Sequence, residues 1–199
     1  EFRVGISDYL NNQSYSNAET SDLWNALSDA SGQPVGEVMD SWVKQTGFPV
    51  LSAIRDENKV SISQERFLYE NIAPDSTSSN KTKWFVPIKI SGQDTDNISS
   101  FLIKCSTEKI ALPAGTGDWF KINSGQTGFY RVLYEPENII GLELAIRESQ
   151  LDSKDRLGLQ GDAYALCKAG YAPVSSFLRL ARAYTEESEA PVLSDLAAG

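Results

Sequence analysis

Histidine is absent from all 199 residues. That gap removes the imidazole base of serine and cysteine nucleophile systems, and it removes the commonest ligand of zinc and the usual proton shuttle near neutral pH. Cysteine is nearly as scarce. Cys105 and Cys167 stand far apart, with no CxxC and no histidine to complete a metal set, so two free, buried thiols are expected rather than a disulfide framework. Basic residues are in deficit, 18 against 27 acidic ones, for a net charge of −9. A polyanion would be repelled over most of such a surface, which argues against nucleic acid as a partner.

Long apolar runs are missing too. The longest, such as Val50–Ile54, are far too short to cross a bilayer, and Glu1–Gly5 carries no basic region followed by an apolar stretch. Neither a membrane span nor an export signal is visible, so a cytoplasmic location is expected, with secretion as the alternative. Three sequons, at Asn12, Asn80 and Asn97, are close to what ten asparagines give by chance at this Ser and Thr content, and do not argue for secretion. No internal repeat, low-complexity tract or flexible linker interrupts the chain.

What is present is enough for a core: 41% of residues are apolar and 10% aromatic. Up to about Gly47 the period is helical. Phe2, Ile6 and Tyr9–Leu10 share a face, Asn11–Asn17 is turn chemistry, and Thr20 is placed to cap a helix carrying Leu23, Trp24, Leu27 and Ala30 before Gly32 ends it. Pro34 opens a third helix, with Val35, Val38, Met39, Trp42 and Val43 as its stripe.

At Phe48 the period drops to 2. Val60 and Ile62 alternate with Ser61 and Ser63, and Asp56–Asn58 separates two strand-like runs, which reads as a hairpin. Further strands are expected at Trp84–Ile90, Ser99–Cys105, Lys109–Leu112, Trp119–Ile122 and Gly128–Tyr134, with polar loops at Asn71–Thr82 and Ser91–Asn97. Pro87 marks its strand as an edge or a bulge. Six or seven short strands with alternating faces point to an antiparallel β-sandwich. From Pro136 the helical period returns: Ile139, Leu142, Leu144 and Ile146 form one stripe, and Leu157, Leu159, Ala163, Leu166 and Cys167 a second, capped by Asp152. A third helix follows Pro173, and a last one starts near Glu189. The fold class expected is multi-domain α and β, with N-terminal helices, an antiparallel sandwich and a C-terminal α-helical segment.

Several groups invite a functional reading. Asp152 with Asp155, and Glu186 with Glu187, could be offered as acid/base couples, but they fall in helix first turns or polar segments, where capping or solvation accounts for them. Ser41 and Ser124 lack a histidine base. Glycines 115, 117, 125 and 128 form no GxGxxG between strand and helix and read as hairpin turns. Trp24, Trp42, Trp84 and Trp119 could build a sugar platform, but their positions on apolar stripes and strand starts favour packing.

Five stretches carry a resemblance: Tyr9–Gly32 (YLNNQSYSNAETSDLWNALSDASG), Ser41–Val50 (SWVKQTGFPV), Ile62–Phe67, Ile122–Glu135 (INSGQTGFYRVLYE) and Leu151–Gly170. In this order they resemble the M1 zinc aminopeptidases of the puromycin-sensitive and fungal type. The resemblance implies that residues 1–47 are the terminal helices of a catalytic domain, 48–135 a β-sandwich domain and 136–199 the start of a helical C-terminal domain, in a central fragment whose two ends look cut. The family's HExxH-x18-E zinc site, its GAMEN motif and its transition-state tyrosine would all lie upstream of Glu1. No catalytic, cofactor-binding or metal-binding residue is therefore assigned, and zinc is expected in the parent enzyme only. Gln126, Tyr130 and Arg131 match recognisable family positions. Gly125 and Gly128 would permit a tight turn there, while Tyr130 and Arg131 pin the sandwich to neighbouring helices.

The resemblance implies a parent that removes N-terminal residues from peptides, with this segment as its non-catalytic scaffold. The alternative is a stand-alone sandwich-plus-helix module that binds protein or carbohydrate. The expected partners are the missing upstream catalytic portion or a second copy, and a peptide for the parent.

Overall fold

The computed structural model describes residues 1–69, 82–94 and 96–198. The expected loop at Asn71–Thr82, apart from Thr82, and the sequon at Asn80 lie outside them. The chain divides into two compact units, Glu1–Thr46 and Gly47–Gly199.

The first unit is three helices: α1 (Phe2–Asn12), α2 (Thr20–Ser31) and α3 (Val35–Val43). The cap of α2 differs from expectation. Thr20 is already inside the helix, and the N–H of Glu19 donates to Asp22 Oδ2 at 2.8 Å, a side chain one turn in reaching back to the helix start. Gly32 ends α2 at φ 64°, the left-handed conformation that glycine adopts without a Cβ penalty. Gly5 is the unit's one buried residue, because a Cβ there would lie 2.9 Å from Leu27 Cδ2 and 3.1 Å from Ala26 O. Leu23, Trp24, Leu27, Val38, Met39 and Trp42 are each only partly buried.

Among its described residues the second unit holds seven strands and then helices, the fold class that the periodicities imply. The strands are β1 (Pro49–Asp56), β2 (Lys59–Arg66), β3 (Val86–Gly92), β4 (Ser99–Ile103), β5 (Thr107–Ala111), β6 (Phe120–Ile122) and β7 (Arg131–Tyr134). They form one sheet in the order β5-β2-β1-β7 and another in the order β4-β3-β6. Hairpin β1–β2 is in register from Pro49↔Arg66 to Asp56↔Lys59 around Glu57 and Asn58. Pairing is antiparallel with one exception: β7 runs parallel to β1, Leu51 opposite Val132 and Ala53 opposite Tyr134. A parallel neighbour needs a long crossover, and here everything from β2 to β6 supplies it. Pro87 lies in the central strand of its sheet rather than at an edge, but the three-residue β6 pairs only Ile90–Gly92, so β3 has a single neighbour at Pro87.

Alternation sorts the side chains. Leu51, Ala53, Val60 and Ile62 of one sheet and Val86, Ile88, Ile90, Ile103, Phe120 and Ile122 of the other are buried, as is Trp84. The opposite face of the first sheet is also covered: Val50 and Phe67 cluster with Ala165, Leu166 and Ala169. Ala165 and Leu166 belong to α5 (Ser153–Lys168) and Ala169 caps its C-terminus; α5 follows α4 (Pro136–Arg147) and precedes α6 (Val174–Ala181), a 3-10 turn at Arg182–Tyr184, and α7 (Ala190–Ala198).

The glycines do not mark hairpins. Gly115 and Gly117, at φ 72° and 65°, lie between β5 and β6, and Gly125, at φ 75°, between β6 and β7. Both connections pass from one sheet to the other, so their end strands are not paired. Both thiols are free, but the expectation that both are buried is half wrong. Cys167 is partly buried, while Cys105 is exposed in the turn between β4 and β5.

Candidate functional site

The most heavily built polar region lies where β6, β7 and the segment between them meet α4 and α5. β6 is three residues long and, among the described residues, has β3 on one side only, so the N–H and C=O groups of its other edge must find partners elsewhere. Two side chains supply them. Asn138 of α4 accepts from Phe120 N and donates to Phe120 O, both at 2.9 Å, so its amide stands in for a strand. The Tyr134 hydroxyl accepts from Ile122 N at 2.9 Å and donates to Ile122 O at 3.2 Å. Burial pushes the Tyr134 phenol well above its ordinary range and keeps it a neutral donor.

Between β6 and β7 the chain winds tightly. Asn123 and Gln126 take φ values of 63° and 53°. The Asn123 amide closes the loop, with Oδ1 accepting from Gly128 N at 2.8 Å and Nδ2 donating to Gly128 O and Gln126 Oε1 at 3.1 Å. Gly125 is needed for its backbone angle, as expected, but Gly128 is needed for space, because a Cβ there would run into the Tyr130 ring.

Helix α5 closes on this loop with carboxylates two turns apart. Asp155 Oδ1 lies 3.1 Å from Lys121 Nζ and accepts from Gly125 N at 2.9 Å; the Lys121 and Asp155 side chains are 1% and 7% exposed. Lys121 Nζ also donates to the carbonyls of Ile122 and Asn123 at 3.1 and 3.3 Å. Burial lowers the Lys121 pKa, and the Asp155 charge opposes that shift. Seven residues on, Asp162 Oδ1 accepts from Arg131 Nη1 and Oδ2 from Val132 N, each at 3.1 Å. β7 is an edge strand, and α5 covers its free N–H with this charged acceptor. Burial pushes the Asp162 carboxyl up to about 6, against the opposing charge of Arg131. Between the two carboxylates Gly158 leaves room for the Gln126 amide, which a Cβ would strike.

The Arg131 contact is thus the charged pin expected from the sequence, and Tyr130 is 5% exposed, as a packing residue should be. The carboxylate pairs turn out differently from one another. Asp152 caps α5, its Oδ1 accepting from Asp155 N at 2.8 Å, but Asp155 itself is neither a cap nor solvated. Glu187 takes Arg156 Nε and Nη2 at 2.6 and 2.8 Å, and this pairing pulls its carboxyl down to about 2; Glu186 is exposed. Neither pair faces a shared proton acceptor. Ser41 donates to Val38 O at 2.7 Å, Ser124 is buried, and Trp84 and Trp119 are core residues at 0% and 2% exposure. Those tryptophans build no open aromatic platform.

Sequence reasoning missed Lys121, Asn123, Asn138 and Asp162. Alternation puts Lys121 on the outer face of β6, where a lysine reads as solvated, and nothing in the sequence says that α5 covers that face. The one available signal is an amide or acid set inside an apolar stripe, as Asn138 is one residue before Ile139.

Zinc does not fit the residues present. Histidine is lacking, and among the described residues no group of three Cys, Asp or Glu side chains is placed to hold a metal ion. Likewise, among the described residues no helix is long and apolar enough to cross a membrane.

Comparison with known proteins agrees with this geometry. A model of the peptidase family M1 domain matches residues 1–42, and one of the ERAP1-like C-terminal domain matches 119–199. The second match begins at Trp119 and so includes β6 and β7 along with the helices, as the buried bonds do. Aminopeptidase M1-B of Oryza sativa subsp. japonica is 37% identical over 97% of this chain and 22% of its own length. Aminopeptidase M1 of Arabidopsis thaliana is 36% identical over 99% and 23%, and the puromycin-sensitive aminopeptidase of Caenorhabditis elegans 36% over 94% and 20%. The chain thus spans about a fifth of the length of the curated relatives it matches. Together these matches place the chain in the M1 aminopeptidase family.

Proposed function

We propose that this chain is the non-catalytic scaffold of a zinc aminopeptidase that removes N-terminal residues from peptides, joining catalytic helices to a helical C-terminal domain. One observation carries the reading: relatives named as aminopeptidases align along nearly the whole chain, yet the chain has no histidine with which to hold their zinc. The junction supports the same role. Its charged groups are spent on one another and on backbone groups, which makes a rigid joint rather than an open reacting centre.

The partner in this reading is the remainder of the catalytic domain, or failing that a second copy, seated on the half-buried stripe of Leu23, Trp24, Leu27, Val38, Met39 and Trp42. The parent works in the cytoplasm on peptides. The test uses the purified 199-residue chain. It should retain no stoichiometric zinc after dialysis and turn over no aminoacyl-nitroanilide, and adding the separately made upstream portion should restore hydrolysis. Chelator-sensitive turnover by the chain alone would overturn the proposal.

A further inference from the structure

The edge of β7 that faces away from β1 is only partly satisfied. Glu135 N donates to Ala53 O at 3.4 Å, so by alternation Leu133 and Glu135 turn their backbone groups to β1, while Val132 and Tyr134 turn theirs outward. Val132 N meets the Asp162 carboxylate there. The next two groups along that edge, Val132 O and Tyr134 N, have no partner among the described residues.

Val132 and Tyr134 border a cavity of about 200 Å³ whose other walls come from α4, α5 and α6, among them Ile139, Leu159, Leu166, Phe177 and Leu180. Their side chains point the other way, into the space between the sheets, where the Tyr134 ring lies 5.9 Å from that of Phe120 and its hydroxyl reaches Ile122. What they turn to the helices is therefore backbone. Every lining residue falls between Val132 and Leu180, so neither end of the chain takes part.

We propose that this cavity binds one amino-acid residue through its secondary amide, the N–H donating to Val132 O, the C=O accepting from Tyr134 N and an aliphatic side chain filling the apolar space. Val132 O and Tyr134 N flank a single residue, which is the spacing at which a parallel strand pairs one residue through its own N–H and C=O. A longer added strand is prevented on both sides. Asp162 already occupies Val132 N, and Pro136, also on the wall, has no N–H to offer. The charges at the cavity are paired, Asp162 with Arg131 and Arg179 with Glu143 at 2.8 Å, so nothing there draws in an ionised ligand. The volume exceeds the roughly 150 Å³ of a cavity that accepts benzene, so a side chain the size of leucine's fits. A free N-acyl amino amide and an internal residue of a peptide share this chemistry.

The test is a titration of the 199-residue chain with N-acetyl-leucine methylamide, followed by NMR. N-acetyl-glycine methylamide, which lacks the side chain, should bind about tenfold more weakly. The ester 2-acetoxy-4-methylpentanoic acid methylamide, which lacks only the acylated N–H, should bind about fivefold more weakly, the share of one hydrogen bond. A capped Ala-Leu-Ala separates the sources: tighter binding than the single residue assigns the site to peptides, and weaker binding assigns it to acylated single residues. Ala163→Leu and Ser176→Leu fill the cavity from α5 and α6, and each should weaken the leucine probe about tenfold with a melting curve unchanged or raised. Cys167 lines the same cavity, so in the unmodified chain saturating probe should slow its alkylation and leave that of the exposed Cys105 unchanged. No binding, equal binding of the leucine and glycine probes or of the amide and the ester, or indifference to both filling substitutions would overturn the proposal.

Discussion

Asp162 shows how a single buried carboxylate links stability to pH. Its folded pKa, about 6, lies above the ordinary 3.8, so between those values the folded protein holds a proton that the unfolded chain has released. Stability from this group is therefore highest near pH 4 and declines as pH rises towards 6. Glu187 acts in the opposite sense: Arg156 lowers it from 4.5 to about 2, so its contribution is complete above 4.5 and is lost as pH falls towards 2. Urea midpoints measured from pH 3 to 7 should lose the decline between 4 and 6 in Asp162→Asn, and the loss below 4.5 in Glu187→Gln. At pH 7 the Asn variant should be milder than Asp162→Ala, because Ala leaves both Arg131 and the Val132 N–H without their acceptor. The Ala variant should cost about 2–4 kcal/mol, towards the low end for a broken buried pair because Arg131 is 31% exposed. Gly141→Ala sets two effects against each other. Alanine gains up to about 1 kcal/mol of helix propensity. Its Cβ, however, would lie 2.8 Å from Trp119 Cβ and 3.0 Å from Asp118 O, neither a flexible chain end, so a net loss of about 1–3 kcal/mol is expected in the same assay.

At the scale of the element, α5 is held to the strands by polar bonds at one end and at the other by apolar packing of Ala165, Leu166 and the capping Ala169. Burying an ion pair gains little net stability, whereas removing one partner leaves the other charge stranded. Lys121→Met should accordingly cost about 3–5 kcal/mol, since it strands Asp155 at 7% side-chain exposure. Adding Asp155→Asn, which keeps an acceptor for the Gly125 N–H, should recover about half of that loss. A double-mutant cycle in urea would reveal the coupling, and additive losses would show that the pair does not act as a unit.

For the whole molecule, the two compact units differ in what they bury. Glu1–Thr46 buries only Gly5 among its residues, whereas Gly47–Gly199 contains every buried hydrophobic side chain. Unfolding of the 199-residue chain should therefore take two steps, with amides of α1–α3 exchanging with solvent well before those of β1 and β2. Hydrogen exchange followed by peptide mass analysis would check the order, and one cooperative step for all amides would contradict it. Phe2, Leu10 and Val43 are also exposed at 71%, 60% and 64%, so the first unit should favour association. Sedimentation should find the chain as a dimer or in a complex, and Trp24→Ser with Trp42→Ser should shift it towards monomer.

Much of the fold was legible because local periods report which face of an element is wet. The drop from 3.6 to 2 at Phe48, the return of the helical period at Pro136 and the hairpin around Glu57 and Asn58 each depend on neighbours a few residues apart. The family resemblance was legible for a similar reason, in stretches such as GFYRVLYE, and so was the lack of histidine. Strand partners are a different matter. That β7 lies parallel to β1, or that β5 and β6 belong to different sheets, depends on contacts some 80 residues apart or on loops whose glycines look like hairpin turns. The junction was hidden for the same reason. Whether Lys121 faces water or Asp155 is settled only when a distant helix covers that face, because burial and not residue type turns a polar side chain into a structural bond.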